Sequence, residues 1–196
     1  MSLIDIYDED MNLLGTATVS QAHSEGLWHK NFHCWIIDEN KVWLQLRSTK
    51  DFYPNKFDIS AAGHLETGET PKQAGCREIE EELGLEVRET EFEKMFTYKT
   101  IVDYPGYCNR EFCPTYAIKK QITKDNIDLD PDEVAGFYAV ELADLIDLFE
   151  NESKEVNVCG FSSDGTQASK NITKDDFVPR GDSYYLKALT TLERMI

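Results

Sequence analysis

The sequence predicts an α/β sandwich rather than a regular βαβ repeat. Strand-like runs of four to ten residues recur along the chain, each bounded by turn-forming clusters. Helical punctuation marks only three segments, and these do not alternate one for one with the strands. A chain of 196 residues, 41% hydrophobic and 29% charged, can bury a real core in one domain, or in one domain with a modest extension.

Taken in order, Leu3–Tyr7 and Leu13–Thr18 read as strands flanking the turn Asp8-Glu9-Asp10. Phe32–Ile37 and Val42–Leu46 read as a hairpin across Asp38-Glu39-Asn40, and Phe57–Ser60 as a short strand leading into Gly63. Pro71–Leu83 reads as a helix. Thr70 serves as N-cap, Pro71 takes the first position, Gln73 completes a capping box and Gly84 stops the helix in a left-handed conformation. Further strands fall near Phe92–Ile101, Glu111–Ile118 and Gly136–Val140, and helices at Ala143–Glu150 and Tyr184–Met195. The polar stretch Asn151–Asp176 fits a long loop, a hairpin or a mobile lid. Phe177–Tyr185 carries aromatics and one Arg before the last helix. Closing over a substrate is one use for such residues and packing is the commoner one.

The net charge of −17 repels a phosphate backbone, which argues against general nucleic-acid binding. An acidic protein that handles an anion needs local positive charge, from a metal or a few Lys/Arg. No apolar run approaches the roughly 18–20 residues that span a bilayer, and the acidic N-terminus lacks a signal-peptide pattern, so a cytoplasmic location is expected. The five cysteines are odd in number and none is in CxxC spacing, as fits reduced thiols; Cys76 reads as core. A homodimer is compatible with these features.

The helix Pro71–Leu83 carries the chemistry. Cys76, Ile79 and Leu83 form its core-facing stripe, while Glu78, Glu81 and Glu82 share another face at i, i+3, i+4. Like charges at that spacing repel, and the helix C-terminus disfavours them further. A bound hard cation such as Mg²⁺ or Mn²⁺ would relieve the repulsion. By itself an acidic run of this kind is usually solvated surface; its flanks decide otherwise.

The segment Gly63–Leu85, GHLETGETPKQAGCREIEEELGL, resembles the Nudix box: Gly63, Glu69, Arg77, Glu78, Ile79, Glu81, Glu82, Gly84 and Leu85 match it with both spacers at the right length. The resemblance implies the Nudix fold, an α/β/α sandwich with a mixed β-sheet, over a single domain 1–196 in which 151–196 is a C-terminal extension. It implies metal ligation by Glu78, Glu82 and Glu81 and by the Gly63 carbonyl. Arg77 would orient the glutamates and Glu69 would support the loop. Hydrolysis of a small-molecule diphosphate with Mg²⁺ or Mn²⁺ follows from that family.

Outside the box, Tyr7-Asp8-Glu9, Gly15-Thr16-Ala17, Leu27-Trp28-His29 and Ser60-Ala61-Ala62-Gly63-His64 resemble the isopentenyl-diphosphate isomerase branch of the same superfamily. That resemblance implies metal ligation by His23, His29 and His64, and a catalytic role for Glu111 in Glu111-Phe112-Cys113-Pro114. The branch's catalytic cysteine position holds Ala62, which cannot exchange a proton. Cys34, Cys108 and Cys113 are candidates to replace it in space. Arg47 and Lys50, after a strand and before the box, are candidate phosphate contacts; Arg47 also resembles a phosphate-binding arginine of that branch. Glu133 matches an acidic position common before the last sheet strand of Nudix proteins. The leading functional expectation is a metal-dependent pyrophosphohydrolase of an organic or nucleoside diphosphate. The alternatives are the isomerase and a non-catalytic nucleotide-binding regulator, against which the intact carboxylates count.

Overall fold

A computed structural model of the chain describes residues 2–50, 52–104, 107–151 and 154–196. The elements run β1 (Leu3–Tyr7), β2 (Leu13–Thr18), α1 (Val19–Glu25), β3 (Trp28–Asp38), β4 (Lys41–Arg47), β5 (Phe57–Asp58), β6 (Ala61–His64), α2 (Pro71–Leu83), β7 (Glu93–Tyr104), β8 (Tyr107–Lys119), β9 (Val134–Glu141), α3 (Leu142–Glu150), β10 (Val156–Ser162), β11 (Gln167–Ile172) and α4 (Asp182–Glu193).

β3 organises the sheet because it is buried on both faces nearly along its whole length, with Phe32, Cys34, Trp35, Ile36 and Ile37 its apolar part. One edge of β3 pairs in parallel with β8. The other edge is shared by β4, β6 and β1, all antiparallel. The sheet is therefore mixed: β4-β9-β10-β11 and β1-β2 both run outward from one edge of β3, and β8-β7 from the other. Alternation along β3 assigns its side chains to two cores. Phe32, Cys34 and Ile36 pack with Ala74, Ile79 and Leu83 of α2. Trp35 and Ile37 share the opposite core with Leu145 and Leu148 of α3 and Ala188, Leu189 and Leu192 of α4. The result is the expected α/β/α sandwich.

Three local readings change. The α1 helix had no sequence expectation: it is one short segment whose buried residue is Ala22, so no apolar stripe announces it. Thr18 caps it and Gly26 ends it with φ +66°. On α2 the capping box is present, but the buried face runs through Ala74, Gly75, Ile79, Glu82 and Leu83, leaving Cys76 half-buried at its margin. Of the three options for Asn151–Asp176, the described residues form a hairpin. β10 pairs with β9, and Val156, Val158 and Ile172 enter the α3–α4 core. No helix among the described residues is long and apolar enough to cross a membrane.

Candidate functional site

Strand β6 supplies consecutive residues to two clusters on opposite faces of the sheet. Gly63 faces α2. A Cβ built on it would lie 1.9 Å from Cδ of Glu78, so only glycine lets the carboxylate sit against this strand. Glu78 is 13% exposed and Glu82 is buried. Burial raises Glu78 to about 7, against the opposing pull of Arg77. Burial, then the Glu78 and Glu133 charges, raise Glu82 well above the ordinary carboxylate range. Oε2 of Glu82 has no hydrogen-bond partner among the described residues. Two carboxylates held in a site that disfavours their own charge fit a divalent cation.

Arg77 braces this arrangement. Its Nε and Nη2 donate to Glu69 at 3.0 and 2.9 Å, its Nη1 donates to Glu78 at 2.8 Å and Glu81 at 3.1 Å, and Nη2 also reaches the His64 carbonyl at 3.0 Å. Glu69 in turn accepts from the Glu66 backbone N–H at 2.8 Å, which fixes the loop between β6 and α2. Glu81 is 60% exposed and turned toward Arg77, so the i, i+3, i+4 trio divides into an inward pair and an outward member.

On the other face, α1 brings His23, β3 brings His29, β6 brings His64 and β8 brings Glu111. One ligand atom from each lies within 4.8 Å of the others. The register explains it, since His29 is opposite Glu111 across the parallel β3–β8 pair and His64 is opposite Asn31 across β3–β6. His29 Nδ1 donates to the Leu27 carbonyl at 2.9 Å, which turns Nε2 toward Glu111, 3.7 Å away. The Nε2 atoms of His23, His29 and His64 are all buried without a hydrogen-bond partner among the described residues. Burial lowers His23, and lowers His64 to about 4, so these two imidazoles are neutral at pH 7. Asn31 Nδ2 donates to Glu111 Oε1 at 2.8 Å and orients it. Three converging imidazoles and a carboxylate fit a metal that accepts nitrogen, such as Mn²⁺ or Zn²⁺, better than Mg²⁺.

A cavity of about 110 Å³ opens beside this cluster, lined by His23, His64 and Glu111 together with Arg47, Tyr107 and Arg180. Two larger depressions, of about 710 and 770 Å³, lie elsewhere and contain neither the box carboxylates nor the histidine cluster.

The NUDIX domain family matches residues 27–157. The chain belongs to the Nudix family. It is 33% identical to an uncharacterized Nudix hydrolase of Clostridium acetobutylicum over 96% of both chains. It is 30% identical to an isopentenyl-diphosphate Delta-isomerase of Cutibacterium acnes, over 73% of this chain and 75% of that one. The structure of DR0079 from Deinococcus radiodurans covers 74% of this chain and 86% of that chain with a TM-score of 0.60 at 19% identity, a likeness of fold.

In this Nudix chain the residues expected from sequence sort cleanly by position. Gly63, Glu69, Arg77, Glu78 and Glu82 meet at the box; His23, His29, His64 and Glu111 meet at the second cluster. Arg47 lies near both, lining the cavity while its charge acts on Glu82. Lys50 does not join them. It is 68% exposed and held by Asp132 at 2.6 Å, because the chain after β4 turns toward the Asp130–Glu133 loop. Of the candidate cysteines, Cys113 comes close to the cluster, with Sγ 3.8 Å from Glu111 Oε2; burial keeps it a thiol. Cys34 is buried toward the Trp35 carbonyl and Cys108 lies beside Gly26. Asp58 carries no local sequence signal for a site and Arg180 only that of its aromatic segment, yet Arg180 donates to Asp58 from Nε and Nη2, both at 2.7 Å, and Arg47 donates to Asp58 at 2.8 Å.

Proposed function

We propose that this Nudix enzyme hydrolyses a diphosphate linkage in a small organic or nucleoside diphosphate, using Mg²⁺ or Mn²⁺. The observation that carries the reading is the seating of Glu78 against Gly63 beside buried Glu82, braced by Arg77 and Glu69. Glu78, Glu82 and the Gly63 carbonyl would hold the cation, with Glu81 at the rim. The cation, when bound, neutralises phosphate charge and lowers the pKa of a water. Arg77 keeps the two inward carboxylates oriented through charge-assisted hydrogen bonds. Arg47 binds phosphate oxygen from the cavity side. In the reaction a water oxygen bonds to one phosphorus, the bond from that phosphorus to the bridging oxygen breaks, and the other phosphoryl group departs. A carboxylate of the Glu78, Glu82 and Glu133 group accepts the water proton. The hydrolase name of the Clostridium acetobutylicum relative supports this reading.

A second reading is isomerisation of isopentenyl diphosphate, the activity named for the Cutibacterium acnes relative. The gathering of His23, His29, His64 and Glu111, with the Cys113 thiol beside Glu111, favours it. Ala62 counts against it, since no proton donor stands at that position of β6. The 1–196 chain as one Nudix domain, with 151–196 as its extension, is part of the proposal and is supported by β10 and α4 sharing the sheet and core of the box-bearing region.

The test is to incubate the protein with Mg²⁺ or Mn²⁺ and a panel of nucleotides, dinucleotides, nucleotide sugars and isopentenyl diphosphate, following phosphate release and isomer formation separately. Phosphate or nucleoside monophosphate release is expected. Isomer formation without phosphate release would replace the first reading by the second.

A further inference from the structure

Arg180 reaches the cavity from the far end of the chain. Residues 177–181 are pinned beside β5. Phe177 bridges in parallel to Phe57, and the Val178 N–H donates to the Phe57 carbonyl at 2.9 Å. The Tyr185 hydroxyl donates to the Val178 carbonyl at 2.9 Å, tying the same segment to α4. This anchoring delivers the guanidinium to Asp58, a fully buried carboxylate, in a two-bond fork. Its Nη1 lies 3.1 Å from Nε2 of His33, whose Nδ1 is 2.8 Å from the Tyr184 hydroxyl. Burial, then the Arg180 charge, lowers His33 to about 3, so the ring is neutral and accepts from Arg180.

Three of the five Arg180 N–H donors are therefore used, and one on each of Nη1 and Nη2 has no partner among the described residues. The side chain is 11% exposed, and what it exposes lines the cavity that also contains Arg47, His64 and Glu111. A buried ion pair adds little stability over an apolar pair of the same size, so packing alone does not account for a guanidinium kept at this wall. The cavity is about 110 Å³, well below the roughly 300 Å³ at which pockets begin to enclose a whole ligand. It suits the phosphate end of a substrate, with the organic group outside.

We propose that Arg180 is a second phosphate-binding residue of this site, acting beside Arg47 on the diphosphate end of the substrate. The assignment rests on the diphosphate reading above and extends it to a residue outside the family-matched region 27–157. Asp58 fixes both guanidiniums in advance, so little side-chain entropy is lost when the anion arrives. The Phe177–Tyr185 segment then has two uses, with its aromatics packing and its arginine facing the ligand.

The experiment measures binding of methylenediphosphonate, a diphosphate that cannot be hydrolysed, by calorimetry at fixed Mn²⁺. Arg180→Met is expected to weaken binding about 10- to 100-fold through the loss of charge-assisted hydrogen bonds. Mn²⁺ loading, followed by electron paramagnetic resonance, is expected to remain at the parent level. Parent-like affinity in the folded variant overturns the assignment, as does weakening that merely follows lost Mn²⁺. If Arg180→Met does not fold, a crystal structure of the unaltered protein with Mn²⁺ and the diphosphonate decides. A phosphonate oxygen within hydrogen-bond distance of an Arg180 Nη atom supports the role; bound phosphonate that touches no Arg180 nitrogen refutes it. Failure of the unaltered protein to bind the diphosphonate at all would instead remove the diphosphate reading itself, and the assignment with it.

Discussion

Glu78→Gln tests whether the box carboxylates are held at a cost that a cation relieves. In the metal-free protein Glu78 titrates near 7 rather than at its ordinary 4.5 because burial outweighs the pull of Arg77. A carboxyl raised in the folded state favours folding below pH 4.5, where it is protonated in both states. That contribution is lost as pH rises from 4.5 to 7, because over this range the folded protein binds the extra proton. A carboxyl pushed from 4.5 up to about 7 corresponds to about 3 kcal/mol, at about 1.36 kcal/mol for each tenfold change in proton affinity. Glutamine keeps the shape and removes the charge. With EDTA present, the stability of the variant relative to the parent should therefore be greater at pH 8 than at pH 4 by about 3 kcal/mol, or about 6–12 °C in melting temperature for a chain of this size. Saturating Mg²⁺ should raise the melting temperature of the parent and not that of the variant. The assay is thermal unfolding from pH 4 to pH 8, with and without metal. Parallel profiles for parent and variant between pH 4.5 and 7 would refute the reasoning.

Glu82→Gln is expected to lower turnover at least about 100-fold with the fold retained, checked by steady-state kinetics on the best substrate of the panel and by circular dichroism. Gly63→Ala must displace the Glu78 carboxylate that lies 1.9 Å from the added Cβ, so Mg²⁺-dependent activity should fall at least about 10-fold while the metal-free protein stays folded. His64→Ala removes one of the converging Nε2 atoms and should weaken Co²⁺ binding at least about 10-fold, read from the visible absorption of the bound ion. Lys50→Ala, at an exposed pair with Asp132, should leave kcat/KM within about twofold and stability within about 1 kcal/mol.

The box was legible because its information is local. Thr70, Pro71, Gln73 and Gly84 mark the ends of α2, and the structure uses each in the expected way. The i, i+3, i+4 spacing placed Glu78, Glu81 and Glu82 near one another, but a helix face is broad. Docking on the sheet put Glu78 and Glu82 inside and left Glu81 beside Arg77. The same docking displaced Cys76 from the buried stripe in favour of Glu82, a substitution that hydrophobic periodicity cannot foresee because it counts a buried carboxylate as surface. From sequence, Lys50 is a candidate phosphate contact beside Arg47, three residues away, although only Arg47 also carries the family resemblance. The turn after β4 sent one to solvent and the other to Asp58.

The sequence by itself determined most of the strands before residue 151, the capped helix and the spacing of the glutamates on it, since each signal is local. The Asn151–Asp176 hairpin was settled only by its pairing with β9. The family resemblance singled out the three histidines and Glu111, but only the register of β3 with β6 and β8, and the unannounced helix α1, brought them together. Asp58 and Arg180 are 122 residues apart, and no spacing rule connects them. Their meeting required the last segment of the chain to pack on β5, which is a consequence of the whole core. Periodicity reports which face of an element is buried; what is buried against it is decided only when the chain closes.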